Sequence, residues 1–106
     1  MKKTPGHKGE KEICASLFKM FGDRWSLRIG DALRDGELRF KEIQTLLGIN
    51  SATLSTRLRS LEAVKVLVRR EEAVDKLSVS YALTKLGREL LPIYDGILTF
   101  GKKVVK

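Results

Sequence analysis

The sequence predicts a mainly α-helical fold with one small β-hairpin, and two stretches carry this prediction. In residues 48–62 a tight Gly-Ile-Asn turn leads into a segment in which Leu54, Leu58 and Leu61 recur at helical spacing. In residues 77–83 apolar residues alternate with small ones, which is typical of a half-buried strand. Helices joined by a tight turn and followed at once by a hairpin form a winged helix-turn-helix, so we expect that architecture.

Two helices are predicted before the turn-linked pair. Apolar residues at helical spacing predict a first amphipathic helix over about residues 10–21, with inward residues Ile13, Leu17, Met20 and Phe21. After the break at Gly22-Asp23, a second helix is expected near residues 25–33, with Trp25, Ile29, Ala32 and Leu33 facing inward. Because Trp25 shares this apolar stripe, we expect it in the core rather than stacking on a ligand. The turn chemistry of Asp35-Gly36 ends the second helix.

The turn-linked pair of helices carries the strongest functional signal. A short third helix is closed by Gly48, and its predicted inward residues are Phe40, Ile43, Leu46 and Leu47. Asn50 is a good N-cap for the fourth helix. At about 100° per residue, the face opposite the three leucines holds Ala52, Thr53, Thr56, Arg59 and Ser60, with Ser55 at its edge. This short-chained, hydroxyl-rich face suits a helix that lies against DNA bases and phosphates.

The hairpin and a last helix complete the fold. Residues 66–70 and 77–83 are the predicted strands, and the polar residues 71–76 form the tip between them. Thr84 is expected to cap a final helix that carries a wide apolar stripe, and Pro92 is expected to kink that helix. A broad exposed stripe usually has a partner, so we expect the first and last helices to form a homodimer interface. The alternative is that the last helix packs on its own core.

Composition restricts the class of protein. A chain of 106 residues is one domain, and no apolar run is long enough to span a membrane, so we expect a cytoplasmic protein. A single cysteine and a single histidine argue against a metal cluster or an intramolecular disulfide, and no cofactor is expected. More than half of the net charge of +8 lies in residues 1–12 and 101–106. These basic ends either attract phosphate or confer solubility.

The order of these motifs resembles the HxlR family of winged-helix transcription regulators, which are related to the MarR group. Four segments carry the resemblance, namely residues 21–27 (FGDRWSL), 39–43 (RFKEI), 48–62 (GINSATLSTRLRSLE) and 81–92 (YALTKLGRELLP). The similarity covers about residues 12–101. It implies a DNA-binding transcription regulator, and together with the charge distribution it gives a domain at 10–101 between basic tails at 1–9 and 102–106.

Three departures from the family matter, and one of them is that Leu77-Ser78 stand where the family's wing has prolines. The family's redox-sensing cysteine aligns with Glu12, whereas Cys14 lies two residues later. Cys14 is therefore either a sensor that points elsewhere on the helix or, as we favour, a buried structural thiol. Lys65 stands where the family has glycine after the fourth helix, so a left-handed turn there would cost about 1 kcal/mol.

The expected DNA contacts follow from side-chain chemistry and from the resemblance. Base reading is assigned to Ala52, Thr53, Ser55 and Thr56, and a phosphate contact to Ser51. Arg59 would reach a phosphate or a guanine, while for Arg57 a structural ion pair and a phosphate contact are equally favoured. Further backbone contacts are expected from Lys41 and Gln44, and weak ones from the wing residues Arg69, Arg70 and Lys76. The alternative is a merely solvated helix face.

The sequence therefore predicts a homodimeric, sequence-specific regulator that binds double-stranded DNA at a roughly palindromic operator and has no enzymatic activity. The effector is not identified by the sequence. One alternative is a winged helix that binds nucleic acids with little sequence preference, as nucleoid proteins do. Another is a winged helix whose outer face docks a partner protein.

Overall fold

A computed structural model describes residues 5–71 and 79–105 of the chain, and side chains from residue 9 onward. The elements are α1 (Pro5–Phe21), α2 (Ser26–Ala32), β1 (Leu38–Arg39), α3 (Phe40–Leu47), α4 (Ser51–Ala63), β2 (Leu67–Glu71), β3 (Val79–Leu83), a 3-10 turn (Gly87–Glu89) and α5 (Leu90–Val104). No helix within the described ranges combines the length and the apolar character that crossing a bilayer requires. The predicted winged helix-turn-helix order is confirmed.

The sheet has three antiparallel strands in the order β1-β3-β2. Leu67 lies opposite Leu83, and Leu38 lies opposite Tyr81, so the two-residue strand β1 adds an edge that the sequence did not predict. In β3 only Tyr81 is fully buried, while the other residues are half-buried. Leu77 and the expected tip residues 72–76 lie outside the described residues.

The core lies where α2, α3 and α4 meet the base of the sheet. Its fully buried apolar residues are Ile29, Leu33, Ile43, Ile49, Leu54, Leu58, Leu61, Val66, Leu67 and Tyr81. The three leucines of α4 are at most 1% exposed. Burial of each leucine contributes about 1.5–3 kcal/mol, which holds this helix by its inner face and leaves its opposite face outward.

The predicted core of α3 was wrong at Leu46. This residue was expected to face inward, but it is 62% exposed. Ile43 is buried, and both Phe40 and Leu47 pack against the core. At about 100° per residue, Leu46 lies about 90° from the mean direction of those three residues. Its apolar spacing suggested an inward position, but an eight-residue helix with a narrow contact buries only the centre of its stripe.

Thr84 was expected to cap the last helix directly, but it caps the 3-10 turn Gly87–Glu89, and α5 begins only at Leu90. The Thr84 hydroxyl donates to the Lys65 carbonyl at 2.6 Å and accepts from the Gly87 N–H at 2.9 Å. The next turn is 3-10, and a Cβ added to Gly87 would lie 2.0 Å from the Val66 carbonyl oxygen. Glycine therefore lets this turn approach the chain that leaves α4.

The structure removes the reason for expecting Pro92 to kink the last helix, which was the loss of a hydrogen bond inside the helix. Because α5 begins at Leu90, Pro92 lies in the first turn of the helix. Amide groups in the first turn have no carbonyl partner within the helix, so a proline there removes no helical hydrogen bond.

An arginine clamp joins α2 to α5. The Arg34 guanidinium donates to both carboxylate oxygens of Asp95, at 2.6 and 3.1 Å, and its Nε donates to Asp31 at 2.9 Å. These bonds raise the pKa of Arg34 and lower the pKa of Asp95 from their ordinary values. Arg88 donates to the Arg34 carbonyl at 2.7 Å, which adds a further link.

Candidate nucleic-acid interface

The turn that leads into α4 has the geometry expected from its residues. Gly48 ends α3 in the left-handed conformation, with φ of +66°. The Asn50 side-chain oxygen accepts from the N–H groups of Ala52 at 2.8 Å and Thr53 at 3.1 Å, which confirms the predicted N-cap. The tight turn and the buried leucines together fix the rotation of α4 about its axis.

The outer face of α4 is exposed at most of the positions assigned to DNA contact. Ser51, Ala52, Thr56 and Arg59 are exposed, whereas Thr53 and Ser55 are half-buried. Ser60, also predicted outward, is half-buried too. The first carboxylate of this helix is Glu62, in its last turn, so negative charge is absent from the helix before that position.

Hydrogen bonds along α4 determine what its hydroxyl groups can offer a ligand. Thr56 donates to the Ala52 carbonyl at 3.0 Å, and Ser60 donates to the Thr56 carbonyl at 3.1 Å. A carbonyl can only accept, so each hydroxyl uses its hydrogen in this bond and presents lone pairs outward. Ser55 accepts from Arg59 at 3.3 Å, which leaves the Ser55 hydrogen available for donation.

Arg57 lies on the flank of α4 and forms an ion pair with an acidic side chain. Its Nε lies 3.3 Å from a carboxylate oxygen of Asp23, in the connection between α1 and α2. Partial burial opposes ionisation of Asp23, but hydrogen bonds from Ser26 and from the Trp25 N–H, together with the Arg57 charge, hold its pKa below the ordinary value. The ion-pair alternative for Arg57 is therefore present in the structure.

The cations of the wing are partly neutralised. Arg69 lies 2.6 Å from Glu71, and Arg70 lies 3.8 Å from Glu37 in the loop before β1. The hydrogen bond to Glu71 raises the pKa of Arg69 above its ordinary value. Lys76, the third wing residue expected at the DNA, lies outside the described residues. This pairing agrees with the expectation that the wing binds only weakly.

Lys41 and Gln44 lie on α3, the helix that precedes the turn. Lys41 is exposed in the first turn, and Gln44 is half-buried in the middle of the helix. Both side chains belong to the element that crosses the DNA backbone in a helix-turn-helix.

Sequence reasoning missed two features close to this surface. The first is the identity of the acid that meets Arg57, since Asp23 lies far from it along the chain. The second is that Arg24 and Arg28 both lie over the ring of Trp25, at 4.8 and 5.1 Å from its centroid. The spacing of the two arginines around Trp25 was the available signal for the second feature. Trp25 itself is half-buried and packs against the core, as expected.

Comparison with known proteins agrees with this geometry. A family model described as HxlR-like helix-turn-helix matches residues 20–106. The chain belongs to the HxlR-like helix-turn-helix family. The resemblance inferred from the four sequence segments is thereby confirmed.

Curated and solved proteins are similar to this HxlR-like chain over most of its length. It is 35% identical over 80 residues to the HTH-type transcriptional regulator YodB of Bacillus subtilis, covering 74% of the chain and 71% of YodB. It is 33% identical over 95 residues to an HTH-type transcriptional regulator of Mycobacterium bovis, of which it covers 60%. The chain thus spans less than two thirds of that relative. The structure of reduced YodB has a TM-score of 0.75 at 26% identity, covering 99% and 97% of the two chains.

Cys14 of this HxlR-like chain is exposed on α1. The favoured expectation of a buried structural thiol is therefore wrong. Its apolar neighbours at helical spacing are also largely exposed, with Ile13 at 57% and Leu17 at 48%, because this face of α1 packs little against the core. A redox role for Cys14 stays a prediction.

Proposed function

We propose that this HxlR-like chain is a transcription regulator that binds double-stranded DNA sequence-specifically through α4, as a homodimer on a roughly palindromic operator. The observation that carries the proposal is the outer face of α4. This face is held outward by three buried leucines, and it presents hydroxyl groups, a methyl group and Arg59 without a carboxylate before Glu62. Such a face can approach base edges closely without repelling phosphate.

The hydroxyl geometry supports a specific division of base reading. Thr56 presents lone pairs, which match the amino groups that cytosine and adenine display in the major groove. Ser55 retains a hydrogen to donate, and the exposed Ala52 methyl suits contact with the thymine methyl. Arg59 is placed to reach guanine or a phosphate.

Phosphate contacts are proposed for groups around α4. The exposed Ser51 lies in its first turn, where a hydroxyl or a backbone N–H meets anions well. Lys41 and Gln44 on α3 would contact the backbone where that helix crosses it. Arg69 and Arg70 would add weak contacts, because both already lie near carboxylates.

Two exposed apolar stripes support dimerisation. The large apolar residues exposed on the terminal helices are Ile13, Leu17, Phe18, Ile93, Ile97, Leu98, Phe100 and Val104. No residue of α5 is fully buried in the single chain, although the helix is largely apolar. A two-fold dimer covering these stripes would present two α4 helices, which fit half-sites about 34–36 Å apart.

Selection of bound fragments from a random duplex library tests the proposed specificity. We expect one enriched, roughly palindromic sequence, bound at least about 10³-fold more tightly than random duplex at physiological salt. Equal affinity for all duplexes would instead favour a nucleoid-type protein.

A matched pair of double variants tests the surface itself. Thr56→Glu with Arg59→Glu should abolish binding to the selected site. The control is Thr99→Glu with Lys102→Glu, which places a Thr→Glu and a Lys→Glu change at the same spacing on exposed positions of α5 and should lose at most the weak, sequence-independent attraction of the basic C-terminal residues. Undiminished binding by the α4 variant would favour a protein-docking role for that face.

Sedimentation velocity tests the dimer. Ile97→Glu puts a charge in the apolar stripe of α5 and should yield a monomer, whereas Thr99→Glu on the opposite side of the helix should not. A wild-type chain that sediments as a monomer at high concentration contradicts the homodimer.

A further inference from the structure

The contact between Asp23 and Arg57 joins the start of α2 to the flank of the DNA-facing helix. Asp23 accepts from the Trp25 N–H at 3.0 Å and from the Ser26 N–H at 3.3 Å, so its carboxylate is fixed at the N-terminus of α2. That carboxylate is 18% exposed and lies 3.3 Å from Arg57 Nε. An acid that is fixed in this way can hold a cation in one place.

Arg57 is directed away from the exposed face of α4. Its Nε is buried and has no hydrogen-bond partner among the described residues, so charge attraction rather than an aligned bond holds it near Asp23. Arg57 and Ser60 line one side of a cleft of about 390 Å³, and Ser16, Lys19 and Met20 of α1 line the other. The Nε of Arg57 therefore lies between helices, and the side chain as a whole is 31% exposed, whereas Arg59 on the same helix is fully on the exposed face.

We propose that Asp23 is a positioning residue of the DNA interface, which holds Arg57 between the helices and keeps it out of the set of cations that contact phosphate. This inference rests on the proposed function. Each cation that neutralises a phosphate releases counterions and strengthens binding to any duplex by a salt-dependent amount. Asp23 thus limits the sequence-independent affinity of the surface beside the base-reading face.

Removing the Asp23 charge should release Arg57 toward the DNA backbone. Asn keeps one side-chain oxygen that can accept from the backbone N–H groups at the start of α2, so Asp23→Asn removes the charge together with one of the two acceptor oxygens. One additional phosphate contact steepens the plot of log K against log salt by up to about 0.9, which is about fivefold tighter binding near 0.15 M salt.

The experiment measures binding of a random-sequence duplex by the full chain across a salt series, for four proteins. Asp23→Asn should bind more tightly than wild type and with the steeper slope. Arg57→Gln should have the wild-type slope, because Arg57 makes no phosphate contact when it is paired. The double variant should match Arg57→Gln, since the released cation is then missing.

Several results would overturn the inference. A shallower slope for Arg57→Gln would mean that Arg57 contacts phosphate in the wild-type protein. An unchanged slope for Asp23→Asn, or a steepening that persists in the double variant, would mean that Asp23 does not act through Arg57. Asp23→Ser, which also caps well, replaces Asp23→Asn if thermal unfolding shows that Asp23→Asn is not folded.

Failure of the proposed function is distinguishable in the same series. If wild type binds no duplex at any salt concentration, both the proposed function and this inference fail. If wild type binds and the slopes contradict the pattern above, only the role of Asp23 is lost.

Discussion

Lys65 ends α4 in a conformation that glycine would adopt at lower cost. Its φ is +69°, in the left-handed region. The Lys65 N–H donates to the Glu62 carbonyl at 2.9 Å, and the Val66 N–H donates to the Leu61 carbonyl at 3.0 Å. This is the hydrogen-bond pattern of a Schellman motif, with its apolar contact between Val66 and Leu61, both buried. We predict that Lys65→Gly stabilises the protein.

The magnitude follows from two opposing terms. A left-handed residue other than glycine costs about 1–2 kcal/mol. Glycine loses about 0.4–1 kcal/mol more backbone entropy on folding. The backbone contacts of Lys65 are unchanged by the substitution and its side chain is exposed, so the net gain is about 0.5–1 kcal/mol. For a domain of this size the melting temperature should rise by about 2–6 °C, measured by circular dichroism.

Gly48 provides the reverse control, because here a glycine in the left-handed region is replaced by a residue with a side chain. Its φ is +66°, and an added Cβ would meet no atom within 4 Å, so Gly48→Ala changes the backbone preference without a clash. It should destabilise the protein by a similar amount. Lys65→Ala keeps the left-handed cost and should be close to neutral. A melting temperature that falls in Lys65→Gly, or rises equally in Lys65→Ala, would refute the reasoning.

Three further predictions test other parts of the structure. Gly87→Ala should lower the free energy of unfolding, measured in urea, by about 1–3 kcal/mol, because the new methyl group would clash with the Val66 carbonyl. The control is Gly30→Ala, which should be tolerated because its Cβ would lie 3.8 Å from the Leu90 side chain. The lowered pKa of Asp23 means that its stabilising effect is complete above the ordinary value of 3.8 and is lost as pH falls through the folded value. Stability should therefore fall more between pH 5 and 2 in wild type than in Asp23→Asn. Thr56→Val keeps the shape of the side chain and removes its acceptor oxygen, so the variant should bind the selected operator about 2–10-fold more weakly than wild type. It should bind random duplex as tightly as wild type does.

Periodicity predicted the elements whose signal is local. The tight turn, the Asn50 cap and the stripe of three leucines all lie within one short segment, so the sequence contained the whole of that argument. At Lys65 the sequence left the conformation open: the family's glycine at that position pointed to a left-handed turn, and the structure has that turn. These features depend on neighbours along the chain.

Features that depend on distant contacts were not foreseeable. The partner of Arg57 lies in the connection between α1 and α2, and only the tertiary fold brings Asp23 to it. Leu46 has the right spacing for the core but lies at the edge of a narrow contact. Pro92 removes no hydrogen bond of the helix, because a 3-10 turn precedes α5 and the helix begins only at Leu90. No local sequence pattern reveals this position of the helix start.

The Arg34 clamp has a mechanical consequence. Two parallel hydrogen bonds between a guanidinium and a carboxylate fix orientation as well as distance, so α5 cannot turn about its axis without breaking at least one bond to Arg34. In the proposed dimer, a change in the angle between subunits that tilts α5 would carry α2 with it. The core elements packed on α2 would then move with α5, so a rotation at the dimer axis would also displace α4.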